Sequence, residues 1–161
     1  MIAVLQRVEK AAVYAEGSEC GRCGNGLLIL LGVTVQDDEE DMRVLCDKIV
    51  RLRIFGDEAG KMNLSLADVQ GEALVVSNFT LCASYTHGNR PSYLEAARPA
   101  QAEPLYLSFA ERMRRAGIPT GEGRFGADMR IEMTACGPVT VVMDSERLMG
   151  KGKSHDSADR G

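Results

Sequence analysis

Nine consecutive residues, 27–35, read Leu-Leu-Ile-Leu-Leu-Gly-Val-Thr-Val and carry no charge. A short apolar run rich in branched side chains, without a helical period, predicts a fully buried strand. Gly32 interrupts it, and it is far shorter than the roughly 20 residues that a bilayer crossing needs. The chain must therefore build a core around this strand.

The pattern changes directly after it. Asp37-Asp38-Glu39-Glu40-Asp41 places carboxylates where a helix N-terminus favours them, and Asp37 with Glu40 has capping-box spacing. Met42, Leu45, Cys46, Ile49 and Leu52 follow helical spacing, which predicts about four turns with one buried face. The acidic run is explained by the helix start and needs no metal.

Elsewhere strand patterns dominate. Residues 2–8 predict a strand with 11–15 as its partner, and the glycine-rich 16–26 reads as a turn. Residues 57–61 form a turn, and 72–81 a strand that ends in polar residues. A loop follows over 85–91. A second helix runs from Pro99 or Pro104 to Ala116, with Leu105, Phe109 and Met113 as its apolar stripe. Residues 129–133 and 139–143 are the last strands and flank Gly137-Pro138. Residues 146–161 are polar and glycine-rich and read as a disordered tail. Helices do not alternate with strands, so the expected fold is α+β: a largely antiparallel, barrel-like sheet with two main helices, in one domain over 1–145.

The totals narrow the function. A chain of 161 residues, 45% hydrophobic and 26% charged, is an ordinary globular domain with room for a real core. A net charge of −4 argues against a broad duplex-DNA binder, whose affinity rests on many cationic contacts to phosphate. It leaves open a grip on a short single-stranded end. The first residues lack the basic-then-apolar order of a signal peptide, and five cysteines is an odd number, so free thiols in the cytoplasm are expected.

The histidine census limits the chemistry. His87 lies in a Thr-His-Gly-Asn loop and reads as solvated, and His155 lies in the tail, so a nucleophile–histidine arrangement is not evident. Cys20 and Cys23 form a C-x-x-C among glycines. It reads as two small residues in a turn, since zinc would need two further ligands and a redox pair usually opens a helix.

Two segments remain as candidates. In Val75-Val76-Ser77-Asn78-Phe79-Thr80-Leu81 an apolar strand turns polar at its end, a rigid place to hold function. Alternation would put Asn78 and Thr80 on one face and Ser77 and Phe79 on the other. The plain alternative is a strand end whose hydroxyls satisfy nearby backbone. Gly137-Pro138 interrupts a β-branched run. It is either an ordinary turn or a cis bond fixing a special local shape, with glycine admitting a close ligand.

These and further blocks resemble the D-aminoacyl-tRNA deacylases. The matching blocks include Gln6-Arg7-Val8, Arg53-Ile54-Phe55, Gly60-Lys61-Met62-Asn63-Leu64-Ser65, Arg90-Pro91-Ser92, Gly123-Arg124-Phe125-Gly126-Ala127-Asp128-Met129 and Gly137-Pro138-Val139-Thr140. The resemblance covers the chain from its first residue to about Ser145. It implies a homodimeric, cytoplasmic hydrolase without cofactor that cleaves the ester between a D-amino acid, or glycine, and the 3′-terminal adenosine of tRNA. It further implies a pocket of Ser77, Asn78, Phe79 and Thr80 from one subunit. Gly137 and Pro138 of the other subunit would complete it, with Arg7 holding that segment in place.

On this resemblance the Gly-Pro carbonyls accept from the substrate amino group and crowd its α-carbon, which excludes an L side chain and accepts glycine. Either Thr80 attacks the ester, or the terminal ribose 2′-hydroxyl assists a water; the lack of a base beside Thr80 favours the second. Two departures stand out. Asn78 occupies a position where members usually carry glutamine, leaving mainly its backbone N–H as a donor. Ala135-Cys136 stands where they usually carry Asn-Asp. The competing expectations are a non-catalytic binder of aminoacyl-tRNA ends, and a thiol-dependent protein using Cys136 or the Cys20/Cys23 pair.

Overall fold

The computed structural model describes residues 1–150; residues 151–161, most of the expected tail, lie outside the described residues. Among the described residues eight strands and three helices follow in the order β1 (Ile2–Ala15), β2 (Ser18–Cys23), β3 (Gly26–Gly32), α1 (Glu39–Arg51), β4 (Phe55–Gly56), β5 (Met62–Leu64), β6 (Glu72–Ser77), α2 (Pro99–Arg115), β7 (Thr120–Glu122), β8 (Met129–Asp144) and α3 (Ser145–Leu148). A single 3-10 turn, Phe79–Cys82, follows β6. Among the described residues no helix is long and apolar enough to cross a membrane.

The main sheet runs β2-β1-β3-β6-β7, with β8 also on β1. It is mixed. β1 pairs antiparallel with β2, β3 and β8, whereas β3–β6 and β6–β7 are parallel. The far edges almost meet. A Cβ added to Gly121 of β7 would stand 2.5 Å from the Arg22 carbonyl of β2, so glycine is what lets the sheet curl nearly shut. The expected α+β, barrel-like architecture with two main helices is what the chain adopts.

The apolar run is buried on both faces as its sequence predicts, but the strand ends at Gly32 rather than at residue 35, and Val35 is 45% exposed. Leu27, Ile29 and Leu31 face the layer beneath α1 and α2, where they meet Leu45, Ile49, Phe109 and Met113. Leu28 packs on the other side with Val8, Val13, Leu74 and Val76 inside the curled sheet. Each of these large aliphatic side chains contributes about 1.5–3 kcal/mol by leaving water.

Several boundaries differ from expectation. β1 is one strand through 2–15 rather than a hairpin, bent where its register to β8 shifts. The stretch expected as a turn over 16–26 holds β2, whose Gly21 serves the closure against Glu122 of β7. α1 is capped by Asp38 with Asp41, not by Asp37 with Glu40. Asp37 is drawn inward instead: the Met1 ammonium donates to its Oδ1 at 2.5 Å, and the Thr34 N–H to its Oδ2 at 2.6 Å. The short helix α3 occupies the first residues of the expected tail, with Asp144 accepting from the Glu146 N–H at its start.

Candidate active site

β6 ends at Ser77, not at residue 81. Its last pairing sets Ser77 beside Leu31, and the Asn78 N–H donates to the Leu31 carbonyl at 2.8 Å. Asn78 then caps the 3-10 turn. Its Oδ1 accepts from the Thr80 N–H at 3.2 Å and from the Thr80 hydroxyl at 2.5 Å. The strand alternation expected for 77–80 is therefore replaced by a turn, because an asparagine side chain competes well for nearby backbone donors. The Asn78 backbone N–H, expected to be available to a ligand, is already engaged. The next amide, that of Phe79, heads the turn and is bound to no backbone carbonyl of the described residues.

These residues wall a cavity of about 560 Å³. Ser77, Asn78 and Phe79 form one side. The remaining wall comes from Tyr93, Ala97 and Arg98 before α2, from Tyr106 on it, and from Phe125 after β7. Phe79 is 58% exposed, and its ring meets Tyr93 edge-on with centroids 5.0 Å apart. Tyr106 is buried. Its hydroxyl lies 2.9 Å from the Val75 carbonyl and 3.1 Å from the Gly123 carbonyl, tying α2 to the end of β6. Burial pushes its phenol pKa up, so it stays a neutral donor.

Among the described residues the walls hold no histidine, carboxylate or thiol. The expectation that His87 is solvated agrees with its exposed loop position. Cys20 and Cys23 sit on a strand, not in a turn; Cys23 is buried, Cys20 packs against the same apolar cluster, and both thiols are free. Desolvation pushes the thiols of Cys23 and Cys82 up to about 11 and that of Cys46 to about 12, which leaves them protonated at neutral pH.

Gly137 and Pro138 do not line this cavity. They sit on β8, which is one continuous strand rather than two. The β1–β8 register passes from Gln6–Thr140 to Val8–Ala135, so residues 136–139 bulge out opposite Arg7. The Gly137–Pro138 peptide is cis, and both residues are exposed. A proline and a glycine fit here because the bulged residues need no ladder partners. Arg7 stands beside the bulge. Its Nη1 donates to the Ile54 carbonyl at 2.7 Å, and a Cβ on Gly137 would come within 3.0 Å of its Nη2. Gln6 supports the far end: its Nε2 donates to the Val139 carbonyl at 3.2 Å.

The profile of D-Tyr-tRNA(Tyr) deacylase matches residues 4–144. The chain belongs to this family. A D-aminoacyl-tRNA deacylase of Bacillus velezensis is 49% identical over 89% of this chain and 98% of its own length. Another, of Chloroflexus aurantiacus, is 53% identical over 92% of each. A solved structure, the c-Myc DNA Unwinding Element Binding Protein, superposes with a TM-score of 0.84 at 38% identity, covering 89% of this chain and 98% of that one. The expected family membership is thus borne out over the length of the domain.

One copy of the chain brings Ser77, Asn78 and Phe79 together at the cavity, whereas Thr80, on the turn, is exposed and does not line it. It leaves Gly137 and Pro138 on a separate bulge beside Arg7. Tyr93, Arg98 and Tyr106 were not foreseen as wall residues. Phe125 lay within a matching block, but nothing in its local pattern points to a cavity.

Proposed function

We infer that the enzyme hydrolyses the ester of D-aminoacyl-tRNA, and of glycyl-tRNA, to tRNA and the free amino acid, and that it works in the cytoplasm. The observation that carries this is the cavity at the end of β6. It is shaped for an apolar group and walled by Ser77, Asn78 and Phe79, in a chain that belongs to the deacylase family.

The described residues of the wall include no general base. The Thr80 hydroxyl already donates to Asn78, and an amide oxygen is too weak a base to activate it as a nucleophile. The reading this favours is attack by water on the ester carbonyl, assisted by the substrate's own 2′-hydroxyl. The bond to the 3′-oxygen breaks and that oxygen leaves protonated. The protein positions the ester, and the Phe79 N–H is the donor suited to the developing oxyanion.

Selection against L substrates is assigned to Gly137 and Pro138 of a second copy. Support for a homodimer comes from β8, which presents the exposed bulge together with Met133 and Val142, the latter 69% exposed. Apolar side chains in that density on an edge strand favour a partner. Arg7 would act as a brace that holds the bulge out.

The test is hydrolysis of D-Tyr-tRNA, L-Tyr-tRNA and Gly-tRNA side by side. The D and glycyl esters should be cleaved and the L ester spared. A folded dimer that cleaves neither D-Tyr-tRNA nor Gly-tRNA overturns the reading.

A further inference from the structure

The substrate proposed above is a nucleoside joined to the rest of tRNA by a 5′-phosphodiester, and none of the residues assigned so far meets that anion. Among the described residues that line the cavity one side chain is cationic, Arg98. It stands directly before α2, with extended backbone (φ −68°, ψ 156°) and no capping hydrogen bond from its side chain. Among the described residues no carboxylate pairs with it. Arg43, Arg112, Arg114, Arg115 and Arg124, by contrast, all lie in ion pairs. The first turn of α2 carries no acidic residue to compete for the guanidinium.

The backbone under Arg98 is held on both sides. The Ala97 N–H donates to the Val33 carbonyl at 2.9 Å, and the Gln101 side-chain amide donates to the Asp37 carbonyl at 3.0 Å. A guanidinium on such a support, open to solvent at an apolar cavity, is suited to bidentate phosphate binding. In a chain of net charge −4 a local cation is also what an anionic ligand would need at this rim.

We propose that Arg98 binds the phosphodiester 5′ to the terminal adenosine and so makes the site prefer an RNA end to a free aminoacyl nucleoside. This rests on the deacylase reading, and two small substrates separate the two. One is adenosine carrying D-tyrosine on its 3′-oxygen; the other is the same molecule with a 5′-phosphate.

The wild-type enzyme should cleave both, with kcat/KM roughly tenfold higher for the phosphorylated one, the worth of one charged hydrogen-bonded contact. Arg98→Gln should bring that ratio close to unity through KM, and Arg98→Lys should keep part of it. On D-Tyr-tRNA, Arg98→Gln should flatten the log–log salt dependence of kcat/KM by about 0.7, the value for one single-strand phosphate contact. A wild-type ratio near unity, or a ratio that survives Arg98→Gln, overturns the assignment to Arg98. Failure of the wild type on every D-tyrosyl substrate overturns the deacylase reading and this inference with it.

Discussion

The hydroxyl of Thr80 donates to the side-chain oxygen of Asn78 at 2.5 Å, and the same oxygen accepts the Thr80 N–H. The pair closes a turn, and the threonine is oriented by a group that cannot take its proton. Thr80→Ala should therefore lower kcat by less than about tenfold, far below the effect of removing a true nucleophile. A tRNA ending in 2′-deoxyadenosine, charged on its 3′-oxygen, should lose at least about a hundredfold in single-turnover rate, the low end of a general acid–base contribution. Full activity on that substrate would sink the 2′-hydroxyl mechanism.

Asn78→Ala tests the turn itself. The substitution removes a side-chain cap of the kind worth about 1 kcal/mol and frees the Phe79 segment to drift. Turnover on D-Tyr-tRNA should fall more than in Thr80→Ala, because the amide assigned to the oxyanion loses its fixed direction. Stopped-time hydrolysis assays on both variants, with urea melts to confirm folding, make the comparison.

Gly137 has φ +118°, and an added Cβ would press on Val139 and on Arg7 Nη2. Gly137→Ala should therefore displace the bulge and lower kcat/KM for D substrates. The shared-site reading adds a sharper expectation. Gly137→Ala and Asn78→Ala, each impaired alone, should recover activity when unfolded and refolded together, because one of the two sites in a mixed dimer is then intact. No recovery in demonstrated mixed dimers would place both residues in a site within one copy.

Much of this fold is legible in the sequence, and the misses share a cause. The uncharged run at 27–35 announced a strand buried on both faces, and the spacing of Met42, Leu45, Cys46 and Ile49 announced the buried face of α1. Those signals are local. Asp37 and Asp38 both suit the cap position in sequence, and only the buried contact of Asp37 with Met1 decides between them. β8 reads as two strands in sequence because local propensity cannot show that pairing resumes beyond a bulge opposite Arg7. β2 reads as a turn locally because its one glycine, Gly21, answers to Glu122 of β7, about a hundred residues away. At the site, Ser77, Asn78 and Phe79 are contiguous and visible. Tyr93, Arg98 and Phe125 reach the same cavity from segments that only the tertiary fold brings together.

The end of β8 is fixed to α1 through buried polar groups. The Met1 ammonium donates to Ser145 Oγ at 2.5 Å as well as to Asp37, and the Ser145 hydroxyl donates to Asp41 Oδ1 at 2.7 Å. All four residues are buried. Removing one member strands the others away from water. Ser145→Ala should cost about 1–3 kcal/mol, and Asp37→Ala, which leaves a buried ammonium without its carboxylate, about 3–5 kcal/mol. Urea denaturation at neutral pH measures both. Equal, small losses would show that water replaces these contacts freely.

Asp47 and Arg112 join α1 to α2 through two parallel bonds, Nε to Oδ1 at 2.7 Å and Nη2 to Oδ2 at 2.8 Å. The Arg112 guanidinium holds the Asp47 carboxyl below its usual range, with Arg43 and Arg51 adding smaller effects. A carboxyl whose folded pKa is depressed stabilises the fold above its unfolded pKa, about 3.9, and loses that contribution as pH falls through the folded value. Both side chains are about one-third exposed, so solvent screening limits the pair to about 0.5–1 kcal/mol. Asp47→Asn should thus lower unfolding free energy by that amount at pH 7, and the gap to wild type should close as the pH falls from the unfolded carboxyl value of about 3.9 through the depressed folded value. Paired urea melts across this range decide the matter. A gap that stays constant with pH would mean the two helices are held by packing of Leu45, Ile49, Phe109 and Met113, with Asp47 acting through its shape alone.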